Sequence, residues 1–148
     1  MLNLTRFSYK KIQLWVRSLR QTYHIFQKFG YLPPTGITIS NLENIRIGDN
    51  FNLSPYCSLY CQDPENGSVL EIGNNVSLNH NVMINADCGG KIYIGNDCIF
   101  APNVVIRASN HRYSQSETSI RNQGHEPGEI VIEDNVWIAS NVVILPGV

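Results

Sequence analysis

The first thirty residues and the rest of the chain follow different hydrophobic patterns. Within residues 5–29, apolar side chains recur at helical spacing, at Ile12, Trp15, Val16, Leu19, Tyr23 and Phe26. Basic residues lie largely off this stripe, and Gly30 followed by Pro33 and Pro34 is typical of a helix end. The pattern therefore predicts an amphipathic helix over residues 5–29.

After Pro34 the chain settles into units of six residues, each opening with a branched aliphatic residue. Three such units make one 18-residue coil of a triangular prism, with the leading aliphatic side chains pointing inward. Gly, Asn and Asp recur between the strands, where they tolerate left-handed backbone conformations. One unit cannot bury its apolar residue alone, but stacked coils build a continuous core. Four coils are predicted, beginning at Ile47, Ile72, Ile94 and Ile132.

The spacing of the coil starts reveals three insertions. Successive starts lie 25, 22 and 38 residues apart, which exceeds the 18-residue period by 7, 4 and 20. The largest insertion covers roughly residues 107–129, and long loops on rigid scaffolds often carry functional residues. We therefore expect two parts: a basic amphipathic helix or cap over residues 1–34, and an all-β parallel helix over residues 35–148 with a large loop at 107–129.

Charge is distributed unevenly along the chain. Residues 1–42 contain six Lys or Arg and no Asp or Glu, whereas the remainder contains five basic and twelve acidic residues. The two parts therefore face different electrostatic partners, and we expect no nucleic-acid partner.

The cysteines and the termini bear on the compartment. Cys57, Cys61, Cys88 and Cys98 form no CxxC pair, and the N-terminus lacks the features of a signal peptide. Free thiols in a reducing compartment are the default interpretation, so we expect a cytoplasmic protein. No stretch of 18 apolar residues is present that would span a membrane.

Two segments carry a resemblance to a known family. The run Ile99–Ile106 followed by His111, and the run Asn135–Val148, resemble the hexapeptide-repeat O-acetyltransferases of sugars and polysaccharide precursors, the group that includes galactoside and maltose acetyltransferases. The similarity is strong over residues 72–148 and rests on the repeat alone over residues 37–71. It implies left-handed coil crossovers, a homotrimer with active sites between neighbouring prisms, and acetyl-CoA as co-substrate.

The same resemblance implies roles for particular residues. His111 matches the catalytic histidine, and an imidazole with a pKa near 6.5 suits a general base at neutral pH. Asn81 and Asp87 match, by order and approximate spacing, two residues that contact the acceptor sugar. Trp137 and Ser140 look like positions that flank the pantetheine arm and thioester of coenzyme A.

Metal chemistry has little support in the sequence. A zinc site needs three or four ligands in compatible positions, and no second histidine lies close in sequence to His111. The nearest, His125, falls in the same long loop. We expect no metal.

The sequence therefore predicts an acetyl-CoA-dependent O-acetyltransferase that acts on a sugar hydroxyl in surface polysaccharide or glycan biosynthesis. The alternatives are an N- or serine acetyltransferase of the same fold, or a non-catalytic homologue. The chain stops at Val148 in mid-coil, so a C-terminally truncated member is expected. The N-terminal helix either caps the prism or contacts the inner face of a membrane through residues 5–29.

Overall fold

The computed structural model describes residues 4–62 and 64–148, apart from the side chains of residues 4–8, 10, 17, 18 and 21. The chain divides into two compact units, Met1–Pro33 and Pro34–Val148. The first unit contains one helix, α1 (Leu4–Phe29), which agrees with the amphipathic pattern. Gly30 ends it in a left-handed conformation, φ 73°, while its N–H donates to the Phe26 carbonyl at 2.8 Å.

The second unit is a parallel β-helix with three flat faces. Strand β1 (Thr38–Ser40) lies in an incomplete first coil. Four fuller coils follow, and each contributes three strands: β2 (Ile45–Ile47), β3 (Asn52–Leu53) and β4 (Ser58–Tyr60); β5 (Val69–Ile72), β6 (Ser77–Leu78) and β7 (Met83–Asn85); β8 (Lys91–Ile94), β9 (Ile99–Phe100) and β10 (Val105–Arg107); then β13 (Glu129–Ile132), β14 (Trp137–Ile138) and β15 (Val143–Ile144).

Equivalent strands of successive coils pair in parallel and form the three faces. Face A stacks β1, β4, β7, β10 and β15, face B stacks β2, β5, β8 and β13, and face C stacks β3, β6, β9 and β14. A further pair, β11 (Ser109–His111) and β12 (His125–Pro127), is antiparallel and stands apart from these faces. The expected left-handed parallel β-helix with an N-terminal helix is the observed fold class.

The register of the faces places the leading aliphatic residues in inward-pointing ladders. On face A the ladder runs through Ile39, Leu59, Ile84, Ile106 and Ile144. Its three middle members are completely buried, whereas Ile144, in the last coil, is half-buried. Each ladder buries the same side-chain position of every coil, so the core is continuous along the prism axis.

Asparagine side chains hold two of the three corners together. At the corner between faces C and A, the amide of Asn81 donates to Asn103 at 3.0 Å, and Asn103 donates to Asn141 at 3.1 Å. All three residues adopt positive φ, between 59° and 63°. The corner between faces B and C carries a similar ladder through Asn50, Asn75 and Asp97. Asparagine suits these positions because it tolerates the left-handed turn and because its side-chain amide can hydrogen-bond to the asparagine of the next coil.

Candidate functional site

All three insertions leave the prism at the same corner, between faces A and B. They follow β4, β7 and β10, and the first two contact each other: the Cys88 N–H donates to Gln62 Oε1 at 3.0 Å, and the Gly89 N–H donates to Ser68 Oγ at 3.1 Å. We call this edge the insertion corner. Because the coils beneath are rigid, side chains at this corner have fixed positions.

The largest insertion is more regular than the loop predicted for residues 107–129. It rises from face A as β11, turns through a 3₁₀ segment at Ile120–Asn122, and returns as β12. The antiparallel register pairs Ser109 with Pro127 and His111 with His125. His111 therefore sits on a strand that a second strand supports.

His111 and His125 are in ring contact across this strand pair. Their ring centroids lie 4.1 Å apart, with the planes tilted by 39°. Burial, followed by the charges of His111 and Arg107, lowers the pKa of His125 below its ordinary value. The pair thus combines an exposed imidazole, His111, with a half-buried neighbour that favours its neutral form.

Asp87 lies at the base of the same corner. Its backbone N–H donates to Asn85 Oδ1 at 2.9 Å, and one carboxylate oxygen, Oδ1, is buried without a hydrogen-bond partner. Burial raises the pKa of Asp87, whereas the Arg107 charge and a hydrogen bond from the Gln62 backbone oppose that rise. Among the described residues, no hydrogen bond joins Asp87 to His111.

Three residues at this corner have roles or contacts that the sequence does not predict. Arg107 on β10 is paired with Asn85 on the neighbouring strand β7 of face A, and its Nε–H donates to the Ser109 carbonyl at 3.0 Å. Ser109 is completely buried, with its hydroxyl oxygen unpartnered. The sequence suggests His125 only as a metal ligand. A pairing register for residues 109–127 would have revealed its contact with His111, but the insertion has no repeat from which to read one.

The remaining predicted residues lie elsewhere on the prism. Asn81 and Ser140 are exposed at the corner between faces C and A, and the Asn81 amide is engaged by Asn103. Trp137 projects from face C with 72% of its surface exposed, beside Ile99 in register on the neighbouring strand. Asn81 and Asp87 are six positions apart along face A, which corresponds to about 20 Å at the rise of an extended strand. One prism therefore does not bring all five predicted residues together.

No metal cluster is found within residues 4–62 and 64–148: no three His, Cys, Asp or Glu side chains are grouped so that they could hold an ion. Helix α1, the one long helix of the described chain, lacks the apolar length needed to cross a membrane.

Sequence comparison identifies relatives along much of the chain. The "Putative acetyltransferase YJL218W" of Saccharomyces cerevisiae is 40% identical over 101 residues, covering 68% of this chain and 46% of that protein. The galactoside O-acetyltransferases of Lactococcus lactis and Escherichia coli are 32% and 36% identical over 83 and 87 residues, each alignment covering 55% of this chain and 38% of the relative. This chain is a relative of the galactoside O-acetyltransferase group.

The chain spans less than half the length of each of these acetyltransferase relatives. No protein-family model matches the sequence. Among solved structures, a point mutant of AntD, an N-acyltransferase from Bacillus cereus in complex with dTDP and coenzyme A, superposes with a TM-score of 0.59. That alignment covers 83% of this chain and 68% of AntD at 17% identity, so the likeness shows a shared fold.

Proposed function

We propose that this chain is an acetyl-CoA-dependent O-acetyltransferase that acts on a sugar hydroxyl, with His111 as general base. The observation that carries the proposal is the placement of His111 on a supported strand at the insertion corner, in ring contact with His125. The relationship to galactoside O-acetyltransferases supports the reaction type and the class of acceptor.

The chemistry requires a base because a sugar hydroxyl is a weak nucleophile. A ring nitrogen of His111 removes the hydroxyl proton while the oxygen attacks the thioester carbonyl carbon of acetyl-CoA. The resulting tetrahedral intermediate collapses by breaking the carbon–sulfur bond. The coenzyme A thiolate then takes the proton from the imidazolium, which yields the acetyl ester and free thiol and restores His111.

Asp87 is suited to holding the acceptor. A carboxylate accepts hydrogen bonds from sugar hydroxyls, and Asp87 is half-buried at the insertion corner, so contact is proposed through the accessible part of its side chain and not through the buried Oδ1. Asn81 is the second proposed acceptor contact. One of its two amide N–H groups donates to Asn103 Oδ1, which leaves the second N–H and the carbonyl oxygen as the groups for a sugar.

Trp137 and Ser140 are proposed to contact the donor. The exposed indole of Trp137 and the side chain of Ile99 form an uncovered apolar pair on face C, which fits the aliphatic pantetheine arm of coenzyme A. The Ser140 hydroxyl is exposed at the adjoining corner, where it fits a polar group near the thioester. Acetyl-CoA would supply the activated acyl group.

The separation of these residues favours a homotrimer. Asp87 and His111 occupy the insertion corner, whereas Asn81 and Ser140 occupy the opposite edge of face A, about 20 Å away. A single acetyl transfer spans only a few ångströms, so the two groups serve one reaction if they come from neighbouring prisms. We further propose a cytoplasmic role in surface polysaccharide or glycan biosynthesis, close to the inner face of the membrane.

An acceptor screen tests the proposal. The purified chain is incubated with acetyl-CoA and a panel of sugars, and thiol release is followed by a colorimetric reagent, with product mass confirming the ester. Thiol release that depends on a sugar hydroxyl is expected. Acetylation of amines or serine alone would replace the proposed acceptor class, and no transfer to any acceptor by a chain that also fails to bind coenzyme A would refute the enzymatic function.

A further inference from the structure

One face of α1 is apolar and open to solvent. Successive helix residues advance by about 100°, so seven apolar residues fall within one sector of the helix surface. We call this sector the apolar stripe; its members are Tyr9, Ile12, Trp15, Val16, Leu19, Tyr23 and Phe26, with exposed fractions of 63, 54, 64, 38, 48, 60 and 44%. Contiguous apolar surface of this kind marks a site of interaction.

The buried residue Ile25 and the apolar stripe lie on different sides of α1. Ile25, which is only 2% exposed, falls outside the apolar stripe by helical position. Leu14 also lies outside the stripe, on the opposite side of the helix, and is 66% exposed. The stripe therefore still needs a partner.

The charges of α1 indicate the chemistry of that partner. The helix carries six Lys or Arg and no Asp or Glu. By helical position Arg6, Lys10, Arg17, Arg20 and Lys28 fall in one sector that borders the stripe. Packing α1 of one copy against α1 of another would bring like charges together, whereas an anionic surface attracts this sector.

Aromatic residues make up four of the seven stripe members. Trp, Tyr and Phe side chains combine an apolar body with a preference for the boundary between headgroups and acyl chains. At about 1.5 Å per residue, the 26 residues of α1 extend about 39 Å. The stripe members share one side of this single helix, so all of them can contact one flat surface.

We propose that α1 lies in the plane of an anionic lipid bilayer, with the apolar stripe inserted at the acyl boundary and the basic sector at the headgroups. The occupant of the stripe is the lipid surface, and recognition combines apolar burial with attraction to anionic headgroups. The proposal is independent of the acetyl transfer reaction, because it requires no residue of the insertion corner.

Co-sedimentation of the full chain with vesicles tests this proposal. Vesicles of phosphatidylcholine containing phosphatidylglycerol are compared with pure phosphatidylcholine, at low and high salt. Strong binding to the anionic vesicles, weakened by salt, is expected. Equal binding to both vesicle types, or none to the anionic type, would overturn the proposal.

Leu19→Glu and Leu14→Glu form a matched pair of variants. Both exchange an exposed leucine for glutamate in the same helix, so they share the change in charge and in helix propensity, and only Leu19 lies in the stripe. We expect Leu19→Glu to bind anionic vesicles at least tenfold more weakly than Leu14→Glu. Equal losses in the two variants would contradict insertion of the stripe.

Two further measurements keep the outcome clear. Far-UV circular dichroism checks that each variant retains its helix, and Leu19→Gln with Leu14→Gln replaces the pair if glutamate unfolds α1. Sedimentation velocity without lipid examines the competing occupant, a second copy of the chain. If Leu19→Glu lowers the oligomeric mass and leaves vesicle binding intact, the stripe is a protein interface and the proposal is wrong.

Discussion

Ile84 lies at the centre of the face A ladder, and replacing it with alanine should destabilise the prism strongly. Its side chain is completely buried between Leu59 and Ile106 of the neighbouring coils. The substitution removes three carbons, whose transfer from water contributes about 2.4 kcal/mol at roughly 0.8 kcal/mol per carbon. The cavity left behind adds to this loss, and large-to-small substitutions of buried isoleucine typically cost about 2–5 kcal/mol.

The same substitution at Ile144 provides the matched control. Ile144 belongs to the same ladder, but it is half-buried and Ile106 is its neighbour on one side only. Its loss should therefore be about half as large, on the order of 1–2 kcal/mol by the same burial argument. Val143→Ala, which truncates a side chain that is 60% exposed, should cost less than about 1 kcal/mol.

Urea denaturation followed by far-UV circular dichroism measures these differences. For a chain of this size, each kcal/mol corresponds to a fall of about 2–4 °C in Tm, so thermal melts should separate the variants as well. Equal losses at Ile84 and Ile144 would refute the inference that stability grows with the number of stacked neighbours. A negligible loss at Ile84 would refute the ladder register itself.

Two further predictions follow from the insertion corner. Because the pKa of Asp87 is raised in the folded chain, its ionisation opposes folding above that pKa, and the penalty disappears as pH falls below the unfolded value of about 3.9. Asp87→Asn should therefore raise Tm at pH 7 by an amount that shrinks toward pH 3.5; a pH-independent change would contradict this assignment. His125 should titrate below the ordinary histidine pKa by NMR, and its midpoint should rise in a His111→Phe variant because the charge of His111 is removed. A midpoint unaffected by that substitution would show that the two rings do not interact.

The repeat predicted most of the prism because its signal is periodic. Each coil start at Ile47, Ile72, Ile94 and Ile132 lies at the end of a face B strand, and the four pair in register. Cys57 and Cys98, which stand where other coils have valine, are completely buried as small apolar residues are. Helix α1 was equally predictable from the sequence, since its apolar spacing and the glycine that ends it are local features.

The site was less predictable because its contacts are between insertions. His111 was found through resemblance, but the supporting strand β12 has no periodic signal that would fix its pairing with β11. The proximity of Arg107 to Asp87 depends on how the second and third insertions leave the prism. The resemblance implies that Asn81 and Asp87 both contact the acceptor, but it does not show that the strand between them holds them at opposite edges of face A.

The most direct test of the central claim is the catalytic efficiency of a His111→Gln variant with acetyl-CoA and the best sugar acceptor. Glutamine keeps a polar side chain at the strand position and cannot accept the hydroxyl proton at neutral pH. His24→Gln, in the exposed surface of α1, makes the same change far from the proposed chemistry along the chain. A loss of kcat/KM of about 10²–10⁴-fold in His111→Gln, with His24→Gln unaffected, is the expected result. Wild-type efficiency in His111→Gln would show that another group is the base.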